Sequence, residues 1–183
     1  MDTLKAIAER CSYRGRYENT PVPRETLRQI MEAGLAAPSG CNTQTTSLIG
    51  LDDADRIRSV LAHFDNPNFA SAPAAVCVLT QPIPGYDEVY FNVQDYAAAI
   101  ENMLLAVTAL GYASCWVEGE ITWSREFSRK IADEMGVPEG YELVAYLPVG
   151  KPAEPGRRVQ KKPFEQRAWF NGFGNEIGLD PIK

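Results

Sequence analysis

The chain has one histidine, His63, and four scattered cysteines, Cys11, Cys41, Cys77 and Cys115, with no Cys-x-x-Cys pair. That scarcity leaves no zinc-ligand spacing and no disulfide framework to build on. His63 has no serine or cysteine motif beside it, so an acyl-transfer triad has no local signature. No stretch approaches the roughly 20 apolar residues that cross a bilayer. The longest apolar-rich run, Tyr96 to Tyr112, is interrupted by Glu101 and Asn102. The opening Met-Asp-Thr-Leu-Lys lacks the charged-then-apolar order of a signal peptide, and the expected location is the cytoplasm. Basic surplus is missing as well. A net charge of -6 argues against a general nucleic-acid binder, whose surface must neutralise phosphates. No Gly-x-Gly-x-x-Gly follows a strand pattern, and no Walker sequence is present.

What is present suits one globular domain, with 45% apolar residues spread over 183 positions. Helical periodicity marks residues 3–10 and 24–37, the second with Leu27, Ile30, Met31, Gly34 and Leu35 on one face. Asp52 or Asp53 is placed to cap a third helix reaching about Phe64. A long helix is expected over about 89–110, ended by Gly111, and another from a Thr122 cap to about Met135. Strands are expected at 45–51, 112–117 and 141–149, and at 74–80, a continuous apolar run buried on both faces. The tail from Ala153 has little periodicity and reads as an arm ordered by packing on something else. Alternation of strands and helices on its own suggests an open parallel sheet of Rossmann or flavodoxin type.

Several segments look built for a polar ligand. In Ala37-Pro38-Ser39-Gly40-Cys41-Asn42-Thr43-Gln44, Pro38 stops a helix and Gly40 permits a turn or a close backbone approach. Ser39, Asn42 and Gln44 add hydroxyl and amide groups; an ordinary helix-to-strand loop is the plainer reading. Arg10 and Arg14 stand four apart around Cys11, Ser12 and Tyr13, a spacing that can aim two guanidinium forks at one phosphate. A solvated helix end explains the same residues. Farther on lie Cys115-Trp116-Val117-Glu118-Gly119 and a basic cluster, Arg157, Arg158, Lys161 and Lys162, which is equally compatible with a charged tail in water. Cys77 reads as a small buried hydrophobe, and Cys41 and Cys115 have no evident partner base.

The Arg-x-Ser-x-Arg start, the Pro21-Val22-Pro23 helix entry, the Ala-Pro-Ser-x-x-Asn-x-Gln loop and the late basic residues occur in one order along nearly the whole chain. In this the sequence resembles the nitroreductase family of FMN-dependent oxidoreductases. The resemblance implies an α+β fold, a three-layer α/β/α sandwich with a mixed central sheet flanked by helices. It implies an obligate homodimer whose arm, residues 153–183, packs on the partner subunit. Arg10, Cys11 and Ser12 would lie at the FMN phosphate and ribityl chain, and Arg14 at the N1 and O2 edge, where reduction collects negative charge. Pro38, Ser39, Gly40, Asn42 and Gln44 would reach the cofactor from the partner. Val117, Glu118 and Gly119 would set backbone N–H groups near N5 and O4, Asn68 or Asn66 would touch the polar edge, and Lys161 or Lys162, with Arg158 as the alternative, would hold the phosphate. No side chain is assigned as catalytic, because the flavin carries the chemistry.

The implied activity is hydride transfer from NADH or NADPH through flavin N5 to a small organic acceptor such as a nitroaromatic, quinone or activated alkene. The alternatives are a flavin-binding carrier or redox sensor without turnover, and a specialised FMN enzyme of reductive-dehalogenase or flavin-consuming type. Two departures stand out: Cys11 replaces a common second basic residue, and Thr45-Thr46 follows Gln44 where many members have Pro-Trp.

Overall fold

The computed structural model describes residues 1–65 and 68–175. Its helices are α1 (Thr3–Glu9), α2 (Arg24–Leu35), α3 (Ala54–Leu61), α4 (Asn92–Ala109), α5 (Gly119–Trp123) and α6 (Arg125–Glu134). Its strands are β1 (Thr46–Leu51), β2 (Ala74–Thr80) and β3 (Glu142–Val149), in the order β1-β2-β3. Both pairings are antiparallel, with Leu48 opposite Val78 and Val76 opposite Leu147. This corrects both sheet expectations, the open parallel one and the mixed one. Among the described residues the parallel contact is a lone bridge between Ser12 and Ser114.

The layered arrangement follows from β2, which is buried along its whole length. Side chains alternate across a strand, so Ala75, Cys77 and Leu79 join one core and Ala74, Val76 and Val78 the other. On the first face pack Ile57 and Val60 of α3, Ile121 of α5 and Ile131 of α6. On the second pack Leu27 and Ile30 of α2 and Ile100, Met103 and Val107 of α4. A bulge opposite Val78 and Leu79 inserts one extra residue in β3 and reverses its alternation. Leu143 and Tyr146 therefore face the first core, and Ala145 and Leu147 the second.

Helix ends match local chemistry. Asp2, Asp53 and Ser124 each accept a backbone N–H at a helix start. Gly111 and Gly136 take the left-handed conformation that ends α4 and α6, at φ 79° and 70°. Two sequence expectations fail. The helix expected from Thr122 is broken at Ser124, whose extended backbone ends α5 and whose hydroxyl caps α6. The strand expected at 112–117 is reduced to isolated bridges at Ala113, Ser114 and Val117. Among the described residues no helix is long and apolar enough to cross a membrane.

Candidate functional site

Two of the singled-out segments meet. The Tyr13 N–H donates to the Ser114 carbonyl at 2.9 Å, and Ser12 bridges Ser114. Tyr13 and Tyr17, packed edge to face at 5.0 Å, anchor this segment in the core, which turns Ser12 and Arg14 outward. Arg10 is half-buried, with Nε 3.2 Å from Glu101 of α4. Arg14 is exposed and has no hydrogen-bond or ion-pair partner among the described residues, while its charge is felt at Cys115. Burial outweighs that pull and pushes the Cys115 thiol up to about 11, so it is not a neutral-pH nucleophile.

The segment after Cys115 is fixed by β3. Val117 exchanges both backbone hydrogen bonds with Tyr146, at 3.1 and 2.9 Å. Its N–H is thus committed to the sheet, and the N–H groups of Glu118 and Gly119 have no partner among the described residues as α5 begins. The Glu118 side chain accepts from the Tyr96 hydroxyl at 3.3 Å, and burial together with that carboxylate pushes the Tyr96 phenol up to about 12. Ser114 Oγ and Trp116 Nε1 are buried with no hydrogen-bond partner. Unpaired buried polar atoms carry a free-energy cost, and here they flank the junction of the two segments.

The loop from Pro38 to Gln44 is built around Asp95, a buried carboxylate in the first turn of α4. Its two oxygens accept the Gly40 N–H at 2.8 Å and the Thr45 hydroxyl at 2.7 Å. Ser39 Oγ accepts the Gln44 N–H at 3.1 Å. These bonds hold Cys41, Asn42 and Gln44 at φ 52°, 55° and 50°, a left-handed conformation that L-residues adopt at a cost. Gly40 is required there, since an added Cβ would lie 2.3 Å from the Phe91 ring. The loop after β2 is tied on by a Tyr86 N–H to Cys41 Sγ contact of 3.3 Å.

This loop and the arginine segment line different clefts. Pro38, Ser39, Gln44 and Asp95 border one of about 180 Å³, and Arg10, Cys11 and Ser114 border another of about 120 Å³. Residues 150–156 run beside 11–18, through Ala153 N–H to Arg16 O at 2.9 Å and the Tyr17–Pro152 bridge. Gly156 presses on Cys11: a Cβ there would lie 2.4 Å from Sγ. The unsupported arm expected from Ala153 is therefore anchored to its own chain as far as Gly156. Lys161 and Lys162 are exposed and make no bond to a described residue. Asn68 is exposed in a turn, and Asn66 lies outside the described residues. Asp95, Glu101 and Tyr96 are the supporting residues that sequence reasoning missed. Their partners lie 22 to 91 positions away along the chain, so no local pattern pointed to them.

The model of the nitroreductase family matches residues 7–76 and 57–151. A protein of Archaeoglobus fulgidus, provisionally named an NADH dehydrogenase/NAD(P)H nitroreductase, is 30% identical over 155 residues, 84% of this chain and 87% of that protein. A crystal structure with the same provisional name from Parabacteroides distasonis has a TM-score of 0.80 at 23% identity, covering 93% of this chain and 98% of that one. A provisionally named nitroreductase from Desulfovibrio desulfuricans, solved in complex with FMN, has a TM-score of 0.75 at 26% identity, covering 100% and 99%.

Proposed function

The chain belongs to the nitroreductase family, and we propose that it is an FMN-dependent oxidoreductase that takes electrons from NADH or NADPH and passes them to a small organic acceptor such as a nitroaromatic, quinone or activated alkene. The observation that carries this reading is the meeting of the Arg10–Arg14 segment with the Ser114–Gly119 segment. A flavin mononucleotide needs cations at one end and N–H donors at its ring, and these two segments supply both. The unpartnered Arg14, the free N–H groups of Glu118 and Gly119 and the orphaned Ser114 hydroxyl fit such a ligand. Bound FMN would supply the redox chemistry at its ring.

The residues of the chain would bind and orient. Arg10 and Ser12 hold the phosphate and ribityl chain, with Glu101 fixing the Arg10 side chain. Arg14 sets a positive charge at the pyrimidine edge. Val117, pinned to β3, aims the Glu118 and Gly119 N–H groups at N5 and O4. Lys161 and Lys162 add charge at the phosphate once the tail is seated.

Ligand pockets usually span about 300–1,000 Å³, and the clefts at the two segments are smaller, about 120 and 180 Å³. That supports a site completed by a second copy of the chain, whose Pro38–Gln44 loop would close it. FMN-loaded protein should oxidise NADH or NADPH faster when a quinone or nitroaromatic acceptor is added. Retention of FMN without such turnover would favour a carrier or sensor.

A further inference from the structure

The junction of α5 and α6 holds groups that the flavin reading leaves unused. Trp123 is 86% exposed, and its indole lies over Gly119: a Cβ on Gly119 would touch the ring at 3.6 Å. Two residues on, Arg125 opens α6, exposed and with its guanidinium unpartnered among the described residues. The other charges of that helix are engaged, Glu126 with Lys130 at 2.9 Å and Arg129 with Asp133. Ser124 Oγ takes the Phe127 N–H, while the N–H groups of Arg125 and Glu126 have no partner among the described residues at the positive end of the helix.

Behind this end runs a cleft of about 430 Å³ lined by α4, α5, α6 and the first residues of β3. Tyr96 and Tyr141 give it aromatic walls, and Arg125 lines it together with a single carboxylate, Glu142. Thr80 lines it too, 1% exposed, with a hydroxyl that has no partner. Its size suits one nucleotide unit. It also adjoins the flavin loop, because Tyr96 is bonded to Glu118.

We propose that this cleft binds the phosphate-bearing nucleotide half of the hydride donor. Its anion sits against Arg125 and the α6 N-terminus, its purine lies between the tyrosines, and Trp123 flanks the path back to Gly119. The proposal rests on the flavin reading and deepens it. It also accounts for a dinucleotide-using chain without a Gly-x-Gly-x-x-Gly turn: the phosphate is met by an arginine and a helix end elsewhere in the fold.

The test compares NADH with 1-benzyl-1,4-dihydronicotinamide, a donor that lacks the nucleotide half, on FMN-loaded protein. Arg125→Ala should lower the NADH-to-benzyl ratio of kcat/KM about ten-fold or more, the scale of a lost charged hydrogen bond. Arg125→Lys should restore part of it. Calorimetry with ADP-ribose on the unaltered protein reads the cleft without turnover, so the answer does not depend on the variant folding. An unchanged ratio in Arg125→Ala, or no ADP-ribose binding at millimolar concentration, overturns the proposal. Flavin reduction by NADH without ADP-ribose binding sinks the cleft and spares the flavin reading. ADP-ribose binding without FMN retention does the reverse.

Discussion

Asp95 is a buried carboxylate whose partners, Gly40 and Thr45, are both donors on the loop that begins at Pro38. Removing it strands two donors, each at about 1–3 kcal/mol. Asp95→Ala should therefore lower unfolding stability by a few kcal/mol and weaken FMN binding. Asp95→Asn, which keeps an acceptor for the Gly40 N–H, should lose less of both. Urea unfolding and flavin titration check this, and an alanine variant indistinguishable from the asparagine one would refute the bracing role. Arg10 and Arg14 should fail differently. Arg10 is steered by Glu101 with its terminal nitrogens still available, so Arg10→Ala should mainly cost FMN affinity, about 1.5–3 kcal/mol. Arg14 has no partner among the described residues. Arg14→Ala should lower the flavin midpoint potential and slow flavin reduction by more than it weakens oxidised FMN. Equal losses of affinity with no change in potential would make the pair a single phosphate clamp.

At the scale of elements, α3 and α6 are joined by Glu134, which accepts from Ser59 at 2.7 Å and lies 2.8 Å from His63 Nε2. The Ser59 hydroxyl first, and then His63, hold the Glu134 carboxyl below its ordinary value of 4.5. A depressed carboxylate stabilises the fold above its unfolded pKa, and that contribution disappears as pH falls through the folded one. The Tm gap between the unaltered protein and Glu134→Gln should be open near neutral pH and close as pH falls through the folded pKa, small throughout because the site is half-exposed. A gap that stays constant down to about pH 3 would exclude this coupling.

Elements with dense local signals were legible in the sequence: the apolar run of β2, the cap at Asp52 or Asp53, and the glycine that ends α4. The break at Ser124 was not, because Thr122 and Ser124 are both capping residues and only packing selects between them. The strand expected at 112–117 was read from apolar content, yet its backbone finds only isolated partners in Ser12, Tyr146 and Gly150. The antiparallel order was hidden as well, since alternating helices and strands leave strand direction open. Of the candidate site, the arginine segment, the Pro38–Gln44 loop and the Val117–Gly119 turn stood out as motifs. The residues that hold them were not, because Asp95, Tyr96 and Glu101 act across long sequence separations.

For the whole molecule, the proposed site is split. One chain joins the arginine segment to Ser114, four residues before Glu118, and keeps the Pro38–Gln44 loop at a separate cleft. Leu4 and Ile7 on α1 and Leu35 at the end of α2 are exposed apolar side chains, the kind of surface a second copy would cover. If FMN bridges two copies, mass action requires that it tighten their association. The measurement that tests the account most directly is gel filtration with light scattering and an absorbance spectrum, on protein freed of flavin and then reconstituted with FMN. The account predicts a flavin-loaded dimer with about one FMN per subunit, tighter than the flavin-free form. A folded protein that retains no FMN, or a stable flavin-loaded monomer, would contradict it.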